Sequence, residues 1–74
     1  MNARRRKQLK EVQDHISKAV SVLEDVIDDE QDSLDNTPEN LQESDAYCEK
    51  EDALDDMRDA LDDLKSAQET ISSV

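Results

Sequence analysis

The chain has 74 residues, of which 34% are hydrophobic and 41% are charged, with one tyrosine and no phenylalanine, tryptophan or glycine. A single domain of this size buries little apolar surface by itself, so we expect a partner chain to contribute to its stability. The formal net charge of −12 argues against nucleic-acid binding by the bulk of the surface and favours basic partners.

Cysteine usage and hydropathy indicate the compartment. The single cysteine, Cys48, excludes an intramolecular disulfide, which is compatible with a reducing cytoplasm. No apolar run is long enough to span a bilayer, and no apolar segment follows the basic residues near the start of the chain. We therefore expect an unprocessed cytoplasmic protein with no membrane association.

A first helix is predicted over about residues 3–32. Its apolar residues alternate spacings of three and four, as at the a and d positions of a heptad repeat: Leu9, Val12, Ile16, Ala19, Leu23 and Val26. Val20 and Ile27 add an e column, and Val22 adds a g position. This stripe is wider than a two-stranded coiled coil needs, which indicates more than one neighbouring helix.

Residues 33–37 predict the corner of a helical hairpin. The apolar periodicity lapses there, and the only proline, Pro38, follows Thr37. The Thr37 hydroxyl can cap a helix, and Pro38 suits the first helical position because its missing N–H would have no partner there. We therefore predict a second helix over about residues 38–73. Ser44 is a second possible cap, which leaves the alternative of a short turn over residues 38–43 followed by a new helix.

The second helix carries an alanine column at its d positions: Ala46, Ala53, Ala60 and Ala67. Larger apolar residues occupy its a and e positions: Met57, Leu64 and Ile71 at a, and Tyr47, Leu54 and Leu61 at e. Small residues at every seventh position favour a close approach of the facing helix. The alanine column therefore predicts close antiparallel packing against the first helix.

The predicted fold is all-α: two long antiparallel helices in a coiled-coil-like hairpin that forms one domain over residues 1–74. A reversal at residues 33–37 predicts three apolar pairs: Leu23 with Tyr47, Ile16 with Leu54, and Leu9 with Leu61. It also predicts that a basic cluster lies beside acidic residues of the second helix, namely Arg4, Arg5, Arg6 and Lys7 beside Asp62, Asp63 and Glu69. Apolar residues that flank this seam predict a homodimeric four-helix bundle.

Acidic residues form one stripe along the second helix, because they alternate between its c and g positions: Asp45, Glu49, Asp52, Asp56, Asp59 and Asp63. Between Glu24 and Asp63 there are 18 acidic residues against two basic ones. A solvated face that keeps a coiled coil soluble is the commoner explanation of such a run. However, like charges four residues apart oppose helix formation by roughly a few tenths of a kcal/mol per pair. The stripe therefore also suggests a surface that imitates nucleic-acid phosphates.

The basic cluster Arg4–Lys7 has two interpretations. Each of its residues can neutralise a phosphate, as in a nucleic-acid-binding arm. Alternatively, its residues pair with the acidic residues near the end of the second helix, and we favour this interpretation because exposed ion pairs are common. Direct nucleic-acid binding is accordingly not expected.

The sequence contains no recognisable catalytic or metal-binding constellation. His15 has no second histidine or cysteine at a metal-ligand spacing, Cys48 has only Lys50 as a basic neighbour, and no glycine-rich phosphate loop exists. We expect a non-enzymatic protein without a metal ion or cofactor. A candidate recognition patch lies near the corner, where Tyr47 is accompanied by polar residues: Asn36, Glu39, Asn40 and Gln42.

The corner segment also carries a resemblance to known proteins. An opening of the Arg-Arg-Lys type, a helix that ends in acidic residues, the pattern Asn36-x-Pro38-Glu39-Asn40-Leu41-Gln42-x-Ser44-x-x-Tyr47 and an acidic second helix rich in alanine and leucine resemble short helical-hairpin proteins from phages and prophages of Gram-positive bacteria. Those proteins have no assigned activity, so the resemblance implies no site residues. It does imply a phage setting, where small acidic proteins often inhibit host nucleases, transcription or defence complexes.

Three functions are compatible with these observations. The first is a phage-type inhibitor that imitates nucleic acid and blocks a basic surface of a host nucleic-acid-binding or defence protein. The second is a structural or regulatory assembly module in which the acidic helix is only a soluble spacer. The third is a protein that sequesters a small nucleotide signal between hairpins, using Tyr47 and the N-terminal arginines.

Overall fold

A computed structural model describes all residues from Met1 to Val74. Two long helices, α1 (Ala3–Asp35) and α2 (Asp45–Ser72), are joined by a connection that contains one 3₁₀ turn (Glu39–Leu41). The helices pack against each other as an antiparallel hairpin, 60 × 15 × 14 Å across its Cα atoms. The predicted all-α hairpin is confirmed.

Helix α1 is capped at both ends by asparagine. The Asn2 side chain accepts a hydrogen bond from the backbone N–H of Arg5 at 2.9 Å, which satisfies one of the free donors of the first turn. At the other end, both the backbone N–H and the side-chain Nδ2 of Asn36 donate to the carbonyl oxygen of Asp32. The helix therefore ends at Asp35, three residues beyond the predicted end.

Helix α2 begins at Asp45, so the prediction of a continuous helix from Pro38 is wrong. The Thr37 hydroxyl is not a cap, because it donates to the carbonyl oxygen of Ser33 and so closes the end of α1. Ser44 is the cap: its Oγ accepts from the backbone N–H of Tyr47 at 3.2 Å and donates to the Leu41 carbonyl at 2.7 Å. The alternative of a short turn followed by a new helix at Ser44 is therefore confirmed.

The seam between the helices lies on a different face from the predicted one. In the heptad register in which Leu9 and Met57 are a positions, the four buried residues all fall at e: Val20, Ile27, Leu34 and Leu54. The apolar a positions of both helices are half-buried, whereas the alanines at the d positions of α2 are exposed. The alanine column therefore does not pack against α1.

The helix register also differs from the prediction. Leu54 packs with Ile27 and Leu34 and not with Ile16, and Lys65 pairs with Glu24. The physical cause is the connection, which spans residues 36–44 and moves the point of reversal about eight residues toward the C-terminus. The predicted pairs of Leu23 with Tyr47, Ile16 with Leu54, and Leu9 with Leu61 are therefore out of register.

This register leaves the first ten residues without an opposing helix. The cross-helix bond nearest the open end joins Gln13 Nε2 to Ser72 Oγ at 3.4 Å, so the start of α1 projects beyond the end of α2. The two ion pairs of the hairpin are Arg58–Asp55 and Lys65–Glu24, and neither involves the basic cluster Arg4–Lys7. The prediction that this cluster lies beside Asp62, Asp63 and Glu69 is therefore wrong.

Neither helix has the length and apolar character needed to cross a bilayer.

Candidate interaction surfaces

The acidic stripe lies on the side of α2 that faces away from α1. The c and g positions of a helix point away from a seam formed by a and e, and all six residues of the stripe are exposed: Asp45, Glu49, Asp52, Asp56, Asp59 and Asp63. Consecutive members are roughly 5–6 Å apart on the helix surface. The structure thus brings these six predicted residues together as one continuous row.

No cation neutralises this row. Arg58 is 4.0 Å from Asp55, which lies outside the row, and its Nη2 also donates to Gln31 on α1. Lys50 donates to the Ser33 hydroxyl at 3.1 Å, and Lys65 pairs with Glu24. The cations of α2 are therefore directed toward α1, and the carboxylates of the stripe face water alone.

The residues of the predicted recognition patch are of two kinds: some use their side chains in hydrogen bonds that hold the connection, and others have unbonded side chains. Asn36 caps α1, and Gln42 Nε2 donates to the Thr37 carbonyl at 3.3 Å, so both amides hold the connection in shape. Glu39 and Asn40 lie in the 3₁₀ turn with exposed side chains that form no side-chain hydrogen bond. Among the residues of the predicted patch that lie in the connection, the free polar groups are therefore Glu39 and Asn40.

Tyr47 lies at the base of the connection. Its half-buried ring packs against the cluster of Ile27, Leu34 and Leu54, which fixes the start of α2 on the end of α1. The ring also contributes to an open cleft of about 530 Å³ at the corner. Tyr47 therefore has a packing role and also presents part of its surface to this cleft.

The corner cleft includes two residues that the sequence did not single out. Ser33 and Lys50 line it beside Tyr47, and their hydrogen bond joins α1 to α2 across 17 residues of sequence. Lys50 occupies an a position, where apolar residues are usual in a heptad repeat. A lysine at an a position was therefore the feature of the sequence that could have pointed to Lys50.

Side chains that commonly hold metal ions or act as nucleophiles are not clustered in the hairpin. No group of three or more histidine, cysteine, aspartate or glutamate side chains is arranged to hold a metal ion. Cys48 is exposed on α2, and the corner cleft is lined by no cysteine, histidine or carboxylate. The candidate functional surfaces are the exposed row of carboxylates and the exposed tip of the hairpin.

No protein-family model, curated protein or solved structure matches the chain. The resemblance to phage hairpin proteins stays a prediction.

Proposed function

We propose that the chain is a non-enzymatic protein of phage type that binds a basic surface of a host protein in the bacterial cytoplasm by imitating nucleic acid. The host protein would be a nucleic-acid-binding or defence protein, and occupation of its basic surface would inhibit it. The observation that carries the proposal is the exposed, uncompensated row of carboxylates along α2.

Charge density supports this comparison with nucleic acid. Residues 24–63 carry a net charge of −16, from 18 acidic and two basic residues, and the hairpin folds them into a length of roughly 30 Å at 1.5 Å per helical residue. This amounts to about one negative charge per 2 Å, close to the one per ~1.7 Å of a DNA duplex. A basic groove that accepts a duplex would therefore meet a similar line charge on the hairpin.

Rigidity supports it as well. The stripe from Asp45 to Asp63 lies within one uninterrupted helix that is anchored to α1 by Leu54 and its neighbours. Carboxylates held in a fixed row lose little conformational freedom on binding, which favours affinity. The tip residues Glu39 and Asn40 extend the acidic surface around the corner, where they can add contacts specific to one partner.

The test is capture of a basic partner from a lysate of Gram-positive bacteria at low and at high salt. The partner should be retained at low salt, released at high salt and displaced by added duplex DNA, because all three effects follow from competition for one cationic surface. Reversal of three charges in the row, Asp52→Lys with Asp56→Lys and Asp59→Lys, should abolish retention.

A matched control changes the net charge equally outside residues 24–63, with Glu11→Lys, Asp14→Lys and Glu69→Lys, all of which are exposed. This variant should retain the partner. Equal loss in both variants would show that only net charge matters, and retention of no DNA-displaceable partner by the unmodified protein would refute the proposal.

A second function, the assembly module, is favoured by a different observation. Three valines of α1 remain at least 42% exposed in the hairpin: Val12, Val22 and Val26. Together with the exposed Ala19 they form one line along α1, and contiguous exposed apolar side chains often mark a protein interface. An assembly module would be insensitive to reversal of the acidic row but would lose its self-association when this line is disrupted.

A further inference from the structure

Burial in the hairpin decreases in order from the e to the a to the d positions. The buried residues are all at e, the apolar a residues of both helices are half-buried, and Val12, Ala19 and Val26 at d are exposed. In a helical bundle the a and d positions form the core. The hairpin therefore covers only one side of the apolar face of each helix.

Both d columns open on the same flank of the hairpin. Equivalent heptad positions of two antiparallel helices lie on the same side of their seam. The opposite flank is the one that carries polar links at b positions, such as Glu24 with Lys65 and Gln31 with Arg58. We call the apolar side the d flank, and its polar link between the helices lies at the corner end, where Lys50 donates to the Ser33 hydroxyl. Its apolar members are Val12, Ala19 and Val26 on α1, Ala53, Ala60 and Ala67 on α2, and Val22 at the edge.

We infer that the d flank packs against the d flank of a second copy of this chain, with the two hairpins antiparallel, to form a four-helix bundle. This inference does not rest on the proposed binding of a host protein, because it is drawn from the exposed valines and alanines and not from the carboxylates. The two surfaces meet along α2, where Asp63 of the acidic row borders the d flank. The packing would bury the half-exposed a residues together with the d columns and so complete a four-helix core.

Charge complementarity selects the second copy and its orientation. The first ten residues carry five of the nine cations of the chain and no acidic residue, and they project beyond α2 at the open end. Residues 24–63, at the corner end, carry a net charge of −16. An antiparallel pair places the basic end of each copy over the acidic corner of the other, whereas a parallel pair would place like charges together at both ends.

In the antiparallel pair a two-fold axis would relate the two α1 helices and would pass near Val22. It would place Val22 beside Val22 of the second copy, Ala19 over Val26 of the second copy, and His15 beside Asp29 of the second copy. In the observed hairpin register the same axis passes between Ala60 and Ala67, which then lie over each other. Val22 is 52% exposed in the hairpin, and the axis would cover it.

The size of the flank suits a dimer. The hairpin is 60 Å long and 15 Å wide, so one long face is comparable with the about 800 Å² per partner that a standard interface buries. Alanines on α2 allow the paired α2 helices to approach closely. One contact opposes the pairing: Asp63 would lie near Asp63 of the second copy at the axis, and the two negative charges would repel each other.

Mass measurement by sedimentation equilibrium tests the pairing. The unmodified protein should have twice the chain mass of 8.4 kDa at about 100 µM, and Val22→Asp should weaken association at least tenfold. Ser21→Asp adds the same charge one residue away on an exposed outer position and should leave association unchanged. A monomeric unmodified protein, or a Val22→Asp variant that dimerises normally, would overturn the inference.

Spin labels on the natural Cys48, which is exposed, test the orientation. Cys48 lies about 15 residues from the axis along α2, so an antiparallel pair should hold the two labels about 45 Å apart at 1.5 Å per residue. A parallel pair would bring both labels to the same end, roughly 20 Å apart by the same helix dimensions. The short distance would refute the antiparallel arrangement even if the mass were that of a dimer.

Discussion

The two flanks of the hairpin are built in opposite ways. On one, polar side chains link α1 to α2, as in the bonds from Gln68 to Ser17 and from Arg58 to Gln31. On the other, the d flank, valines and alanines face water without a partner in the hairpin. The linked flank has its bonds within the chain. The d flank has one such bond, from Lys50 to Ser33 at the corner, and its valines and alanines would be covered only by association. The difference shows that the hairpin satisfies the polar side chains of one flank by bonds within the chain but leaves the apolar side chains of the other flank exposed to water.

The largest expected effect concerns the seam that both flanks share. Leu54 is 1% exposed and contacts the central cluster, so Leu54→Ala should lower the free energy of unfolding by about 2–5 kcal/mol. Urea denaturation followed by circular dichroism measures this loss. Val12→Ala is the control, since Val12 is 42% exposed and should cost far less at protein concentrations too low for association. Equal losses would show that the seam is not at the e positions.

The sequence predicted the hairpin but not its seam. Apolar periodicity reveals that a helix has an apolar face, yet it does not say which neighbour covers which side of that face. Both the alanines at d and the leucines at e are apolar, and burial of the larger side chain gains more free energy. On α2 the e positions carry leucines, Leu54 and Leu61, whereas the neighbouring d positions carry the smaller alanines, Ala53 and Ala60. This size difference was therefore the signal that the e column forms the seam.

The register was beyond prediction for a related reason. Thr37 and Ser44 are both good capping residues, and the choice between them decides where α2 begins. That choice depends on the connection, in which Ser44 Oγ donates to Leu41 and Gln42 Nε2 donates to Thr37. By contrast, the acidic row was predictable, because residues within one helix keep their spacing whatever the register.

The second prediction concerns the d flank itself. Ala60→Leu should barely change unfolding of the isolated hairpin, because Ala60 is exposed and surface substitutions usually stay within about 0.5 kcal/mol. In the antiparallel dimer the same leucine would overpack the α2 pair and weaken association by about 1–3 kcal/mol. Thermal unfolding over a dilution series separates the two effects.

Ser66→Leu is the matched control, since it adds a leucine at an exposed c position of α2. It should leave the concentration dependence of unfolding as in the unmodified protein. Destabilisation of the isolated hairpin by Ala60→Leu would mean that alanine packs in the seam after all.

The third prediction concerns the corner, which joins the two helices at one end of both flanks. Ser44→Ala removes the cap of α2 and should cost about 1 kcal/mol. Amide hydrogen exchange of Tyr47, whose N–H donates to Ser44 Oγ, should accelerate. Thr37→Ala removes a bond to Ser33 at the end of α1 and should leave the Tyr47 amide protected. Faster exchange in both variants would indicate that the connection unfolds as one unit.

The two ends of the hairpin also bear on the nucleotide-sequestering alternative. Tyr47 and the arginines at positions 4–6 lie at opposite ends of a 60 Å hairpin, so one hairpin cannot bring them to the same small ligand. The antiparallel dimer would bring them together at each end. That alternative therefore depends on the d-flank pairing, and a monomeric protein would exclude it.

The smallest expected effect belongs to the linked flank. Lys65 and Glu24 are about half-exposed and 4.0 Å apart, and exposed pairs of this kind contribute about 0.2–1 kcal/mol. A double-mutant cycle with Lys65→Met and Glu24→Gln should give a coupling in the lower part of that range, and added salt should reduce it further. Such a result would mean that the polar links select the register, while the buried e column supplies the stability. A coupling well above 1 kcal/mol would instead make the linked flank a principal source of stability and remove the contrast between the two flanks.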